Sequence, residues 1–192
     1  QIIMKKLILV VIMLFSLNTF AQKLDSTALI LIDIQYFYFP GGDMPLVEPE
    51  AAALQAQRVL EYFRKNKGLV VHVKHAHEPG GNIHELVKPV DGEKIFTKKE
   101  VNSFLGTGLD NYLKENHIKY VVLAGMQTHM CLEGGTRAAH DLGYQCTVIE
   151  DACATRDLKY GERVIKAVDV HASTLATLKN YAKIVTTEEF LK

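Results

Sequence analysis

The chain has 192 residues, with 22 Lys and Arg set against 22 Asp and Glu, 48% hydrophobic and 23% charged residues. That is the profile of one globular α/β-sized domain, not of a disordered chain or a multidomain machine. A formal charge of zero and a pI near 7.2 leave no basic surplus to neutralise phosphates, which argues against a dedicated nucleic-acid binder. Cys131, Cys146 and Cys153 are too few for a disulfide framework in a chain that can bury a full core, and at least one must be unpaired.

In chain order, the first segment reads as an export signal. Met4-Lys5-Lys6 is a short basic region, residues 7–15 are unbroken apolar, and Thr19-Phe20-Ala21 ends on a small residue. The apolar run is less than half of the about 20 residues a transmembrane anchor needs, and no cysteine directly follows it to carry a lipid. We expect a signal peptide over 1–21, a single domain over 22–192, and a periplasmic or secreted product with no membrane attachment after cleavage. Gln1-Ile2-Ile3 ahead of Met4 reads as an over-extended start.

Beyond residue 22 the pattern alternates. Residues 28–32 are continuously apolar, 69–73 and 120–124 are similar runs, and 147–149 is a shorter one; runs without polar alternation suit strands buried on both faces of a parallel sheet. Helical stretches fall between them at 50–67, closed by Gly68, at 109–116, at 130–142, closed by Gly143, and at 163–180. Both glycines are expected to take the left-handed C-cap position. In the last helix Val164, Val168, His171, Leu175 and Leu178 form one apolar stripe, and a final strand is expected at 183–186. The order predicts an α/β fold: a single-domain, doubly wound, mostly parallel sheet with right-handed crossovers and helices on both faces.

In such sheets chemistry gathers at the carboxyl ends of the strands. Asp33 ends the first strand, Lys98 follows the short run 94–97, and Cys131 lies just past the fourth strand in the first turn of a helix. There the helix dipole and free N–H groups are expected to lower the thiol pKa. A nucleophile, a carboxylate and a cation are the parts required for acyl transfer through a thioester.

These residues resemble the isochorismatase-like cysteine hydrolases, which include nicotinamidases and related amidases. The resemblance runs through Leu31-Ile32-Asp33-Ile34-Gln35, Lys98 to Phe104, Ala124-Gly125-Met126-Gln127-Thr128-His129-Met130-Cys131, Arg137-Ala138-Ala139, Asp141-Leu142-Gly143-Tyr144 and Glu150-Asp151-Ala152-Cys153-Ala154. It implies an Asp33-Lys98-Cys131 triad, with Lys98 chosen over Lys99 by its six-residue spacing to Phe104. It also implies a cis peptide before Gln127 that turns the amides of Gln127 and Cys131 toward an oxyanion, and assembly as a dimer or tetramer. The Asp-x-His element of metal-binding nicotinamidases is absent, so nicotinamide is not the first substrate expected. Retention of Cys131 favours a small amide or another acyl substrate over an isochorismate-like ether. A non-catalytic binding protein on the same fold is the rival reading. No Cys-x-x-Cys pair points to redox exchange, and no Gly-x-Gly-x-x-Gly points to a dinucleotide, so no cofactor is implied.

Four histidines, His72, His75, His77 and His84, cluster after the second strand. His75 and His77 would project to one side of an extended segment and form either a polar pocket wall or an exposed loop; no carboxylate or Cys has metal-ligand spacing with them. The expectation is therefore no metal. His129 is either a substrate contact or a solvent-facing first-turn residue, and His171 a satisfied core histidine. Phe37 and Phe39 form either an apolar lid or ordinary core. Gly134-Gly135, in the helix after Cys131, costs about 1 kcal/mol per Gly relative to Ala and signals either close packing or room for substrate. Cys146 and Cys153 bracket a strand, too far apart for a disulfide.

Overall fold

The computed structural model describes residues 24–192; the proposed signal segment lies outside them. Among the described residues, eight strands and five α-helices follow one another as β1 (Thr27–Ile32), α1 (Pro49–Lys65), β2 (Leu69–His75), β3 (Lys94–Lys98), α2 (Leu109–Glu115), β4 (Tyr120–Met126), α3 (Glu133–Asp141), β5 (Gln145–Ala154), β6 (Leu158–Tyr160), β7 (Arg163–Ile165), α4 (Ala167–Leu178), β8 (Ala182–Val185) and α5 (Thr187–Leu191). Six strands form one parallel sheet in the order β3-β2-β1-β4-β5-β8. The chain starts in the middle of the sheet, builds outward to β3, then returns across β1 to build the other half. The switch therefore lies between β1 and β4, the place where an open α/β sheet leaves a crevice at its carboxyl edge.

All six residues of β1 are buried, which explains its lack of polar alternation. Leu29 and Leu31 join Leu60 and Phe63 of α1 and Phe190 of α5 on one face. Ala28, Ile30 and Ile32 meet Leu109 and Leu113 of α2, Ala139 of α3, and Leu175 and Leu178 of α4 on the other. The doubly wound expectation holds.

Three local expectations need correction. The stretch 163–180 is not one helix: residues 163–165 pair with 158–160 as an antiparallel hairpin, and α4 begins at Ala167. Asp157 fixes that start, since its carboxylate accepts the Ala167 N–H at 2.8 Å and pairs with Lys166 Nζ at 2.7 Å, capping the helix from outside. Val164 and Val168 are consequently exposed, at 53% and 72%, and the five-residue apolar stripe does not exist. The stretch 130–142 instead opens with a π-helical turn, Thr128–Leu132, before α3. At the end of α1 the left-handed residue is Lys67, φ 56°, and not Gly68; Gly68 is needed because a Cβ there would press on the Phe63 ring. Gly143 does adopt the left-handed conformation, φ 94°.

Candidate active site

The carboxyl ends of β1, β3 and β4 deliver Asp33, Lys98 and Cys131 to one point. Asp33 follows β1 with φ 51°, a left-handed conformation that Asp tolerates better than most side chains. Its N–H still donates to the Val73 carbonyl at 2.9 Å, so the turn happens while the residue is fastened to the sheet. Gly125, φ 133°, sits where a Cβ would collide with the Ile32 backbone, so only glycine lets β4 approach β1 this closely. The register between β4 and β5 shifts over Leu123 and Gly125. The next peptide, Met126–Gln127, is cis, and the π turn that follows, with the Leu132 N–H on the Gln127 carbonyl at 3.3 Å, carries Cys131 in its last winding. Single π turns of this kind are frequent at functional sites.

Lys98 is the hub. Its ammonium donates to Asp33 Oδ2 at 2.7 Å, to Cys131 Sγ at 3.1 Å, and lies 3.1 Å from His75 Nδ1. An ammonium has three N–H bonds, and here three acceptors surround it, which accounts for a lysine only 1% exposed. Acceptance at Nδ1 assigns the proton of neutral His75 to Nε2. Asp33 Oδ1 is buried and has no hydrogen-bond partner among the described residues, although ligand atoms of Asp33, His75 and Cys131 lie within 4.8 Å of one another.

The electrostatics differ from the expectation. The Cys131 thiol is pushed up to about 12, first by burial and next by the Asp33 carboxylate, with Lys98 acting in the opposite sense. Whatever the helix end contributes is outweighed, and the resting sulfur holds its proton. Asp33 is itself raised above the ordinary carboxylate range, because burial outweighs the pull of Lys98. His75 is lowered by burial and then by Lys98, in keeping with a neutral ring.

His75 therefore enters the cluster, and the reasoning that no carboxylate or cysteine accompanies it is corrected: the fold supplies both from distant strands. These three groups could in principle hold a cation. The Lys98 ammonium, within 3.1 Å of all three, already occupies the centre of that set, and the residues fit a lysine better than a metal. His77 lies apart, bonded to Asp43 at 3.1 Å and tilted against Phe37 with ring centroids 4.2 Å apart. Phe37 and Phe39 are 1% and 3% exposed and pack as core, with Phe39 stacked on His84, so neither is a lid. His129 Nδ1 lies 2.6 Å from Thr155 Oγ1, in the same π turn as Cys131. His171 reaches Thr128 Oγ1 at 3.0 Å, and His72 is buried against Glu93. The two glycines are explained by packing: a Cβ on Gly134 would strike Val101, and one on Gly135 would crowd Ile32 and Ser103. Cys146 and Cys153 are buried free thiols.

Two neighbours escaped sequence reasoning. Gln35, fully buried, takes the His75 N–H at 2.7 Å and donates to the His75 and Gly81 carbonyls at 3.0 and 2.6 Å. It prolongs the β1–β2 ladder with a side chain and fixes His75. Tyr38 is hydrogen-bonded by Gln127 and feels Asp33, Cys131 and Arg156. Gln35 already stood in the motif that carries the family resemblance, though with no role assigned; the only advance sign of Tyr38 was proximity to Asp33 in the chain.

Comparison with known proteins settles the relationship. The isochorismatase domain model matches residues 27–189, nearly the whole described chain. The chain belongs to the isochorismatase family of hydrolases. The family protein YddQ of Bacillus subtilis is 41% identical over 179 residues, covering 87% of this chain and 99% of its own. An isochorismatase hydrolase structure from Oleispira antarctica superposes with a TM-score of 0.83 at 40% identity, covering 86% and 96% of the two chains. The streptothricin hydrolase of Streptomyces noursei is 28% identical over 160 residues, 78% of this chain and 57% of its own. For this isochorismatase-family hydrolase, then, the doubly wound sheet is the family's sheet, and the cluster around Lys98 sits at its switch point.

Proposed function

We propose that this chain is a cysteine hydrolase that cleaves a small amide at its C–N bond through a thioester on Cys131. The observation that carries the reading is the buried Lys98 ammonium bonded at once to Asp33 and to the Cys131 sulfur. A protonated thiol beside a carboxylate of raised pKa suits proton transfer during attack, and not a standing thiolate. The orphan Asp33 Oδ1 is the acceptor. As the Cys131 proton passes to Asp33, sulfur bonds to the amide carbon, and the carbonyl oxygen takes the electron pair. The amides of Gln127 and Cys131 receive that oxyanion. The C–N bond then breaks, and protonated Asp33 gives its proton to the departing amine. Water attacks the thioester, losing a proton to Asp33; the C–S bond breaks, and the proton returns to sulfur. Lys98 stays charged throughout and holds both Asp33 and sulfur while charge moves between them. His75, presenting Nε2–H, and His129, within the π turn, are the polar groups assigned to contact substrate.

The test is a panel of small amides with ammonia or amine release as readout, joined to mass spectrometry of the quenched enzyme. Hydrolysis with an acyl mass on the Cys131 peptide is expected. Cys131→Ala should lose turnover by at least about 10³-fold; full activity in that variant would end the thioester mechanism.

A further inference from the structure

Asp33 follows directly on β1 and Lys98 is the last residue of β3, so the sheet itself aims both. Cys131 has no such support. It stands beyond the end of β4, in the fourth place of the Thr128–Leu132 π turn, and the direction of its sulfur depends on how that turn is wound. Rewinding it by one residue, to an ordinary α-helical turn, would swing the side chain round by about 100°. The turn holds itself weakly. The Met130 and Leu132 N–H groups converge on one oxygen, the Gln127 carbonyl, at 3.0 and 3.3 Å, and the Gln127 side chain provides no cap.

The hold comes from α4. Thr128, the first residue of the turn, is completely buried, and its hydroxyl lies 3.0 Å from Nδ1 of His171. A buried hydroxyl needs a partner, and this is the only side-chain bond it makes among the described residues. His171 stands one turn beyond Ala167, whose N–H Asp157 fastens at 2.8 Å, and Leu175 and Leu178 of the same helix share a core cluster with Cys131 and Leu132. Support therefore runs from Asp157 along α4, through His171, to the start of the turn that carries the sulfur. The half-buried His171 ring also borders a cavity of about 400 Å³, open to solvent and lined by Val47, Cys153, Thr155 and Val168 among others. An aliphatic side chain would fill that place without desolvating a ring; what histidine adds is the bond to Thr128.

We propose that His171 is a positioning residue, which through Thr128 fixes the winding of the π turn and so aims the Cys131 sulfur at the substrate carbon. The proposal rests on the thioester reading for its reaction, but not for its geometry. His171 touches neither substrate nor sulfur; it acts through a hydroxyl three residues ahead of the nucleophile.

Two measurements on the full chain test it. In the first, His171→Ala and Thr128→Val are assayed on the best amide of the panel, and kcat and kcat/KM should fall together by about 10- to 100-fold, with KM changed by about twofold or less. His171→Asn, whose amide can take the place of Nδ1, should keep most of the activity. Because the two groups act as a unit, the double variant should lose no more than either single one. Added imidazole, entering through the cavity, should restore part of the activity of His171→Ala and none in the double variant. Thr128→Val is close to isosteric, and thermal unfolding of each variant separates lost aim from lost fold. The second measurement needs no turnover: a loosened turn lets Cys131 out of its dry pocket, so its alkylation by iodoacetamide at about pH 8, followed by peptide mass spectrometry, should quicken by about fivefold or more in both single variants. A kcat or an alkylation rate that stays put in both single variants, losses that multiply in the double variant, or equal rescue of both backgrounds by imidazole overturns the positioning pair. Faster alkylation in the variants with no amide hydrolysis by wild type would uphold the pair and remove the thioester reading instead.

Discussion

The adjacent strands β2 and β3 carry a buried charged cluster at each end, and the two are built to opposite purposes. Ahead of β3, Glu93 receives both prongs of Arg64 at 2.7 and 2.8 Å, the Val90 N–H at 3.0 Å, and the His72 ring at 2.9 Å. Burial alone would raise that carboxylate, but these donors outweigh it and hold Glu93 at about 2. Past the other end, His75 and Lys98 are register partners, and Asp33 meets the ammonium with one oxygen while the other goes without a partner. There burial wins, and both Asp33 and Cys131 are raised. A carboxylate saturated with donors is locked into its charged form and serves as a rivet. One left half-satisfied in a dry pocket can exchange a proton, which is what chemistry requires.

The sharpest way to break this contrast is Asp33→Asn. Turnover should fall by about 10²- to 10⁴-fold, measured as amine release. The same change removes the negative charge that helps raise the thiol, so the pH profile of Cys131 alkylation by iodoacetamide should move to lower pH. Loss of catalysis with easier thiolate formation would separate proton transfer from thiolate supply; an alkylation profile that stayed put would contradict the assigned role of Asp33.

A smaller effect is expected at His75. Removing the third acceptor of Lys98 with His75→Ala should lower kcat/KM about tenfold and leave thermal unfolding nearly unchanged, because the ring is half-exposed. His75→Asn, which retains an acceptor, should recover part of the activity. Equal loss in both variants would show that the ring acts on substrate and not through Lys98.

At the opposite end of these strands, Glu93→Gln should change activity least and stability most visibly at pH 7, by about 2 kcal/mol in urea unfolding. The sign follows from the depressed pKa. The wild-type contribution is complete above the unfolded value near 4.5 and is lost as pH falls toward about 2, so the gap between wild type and Glu93→Gln should close over that window. A gap that persisted at pH 2 would mean packing, not charge, holds this corner.

The sheet was legible because β1 and β4 carry unbroken apolar runs buried on both faces and the run of β2 is broken only by His72; the meeting of Asp33, Lys98 and Cys131 was legible because each lies at or just past the carboxyl end of a strand. The hairpin at 158–165 was not, since Val164 and Val168 mimic a helical stripe and the decisive Asp157 cap acts from ten residues before Ala167. The pKa of Cys131 was misjudged for a related reason: a helix N-terminus can be read from sequence, whereas the desolvation that overrides it depends on which strands close around the sulfur. Gln35 gains its significance through contacts 40 and 46 residues along the chain, and Tyr38 through Gln127 at the far end of another strand, separations over which periodicity carries no information.

Lys98 belongs to β3, the outermost strand on its side of the sheet, and within that strand it is the residue that is buried while Lys94, Ile95 and Thr97 face solvent. An edge strand held by one neighbour is among the first parts of a sheet to detach, and the ammonium bonded to Asp33 and Cys131 would leave with it. On the thioester proposal, catalytic competence is therefore set by the weakest margin of the sheet and not by its centre. Gentle denaturants or warming should silence this protein while β1, β4 and β5 are still folded, and anything that shelters the β3 margin should extend the working range without touching a single reacting atom.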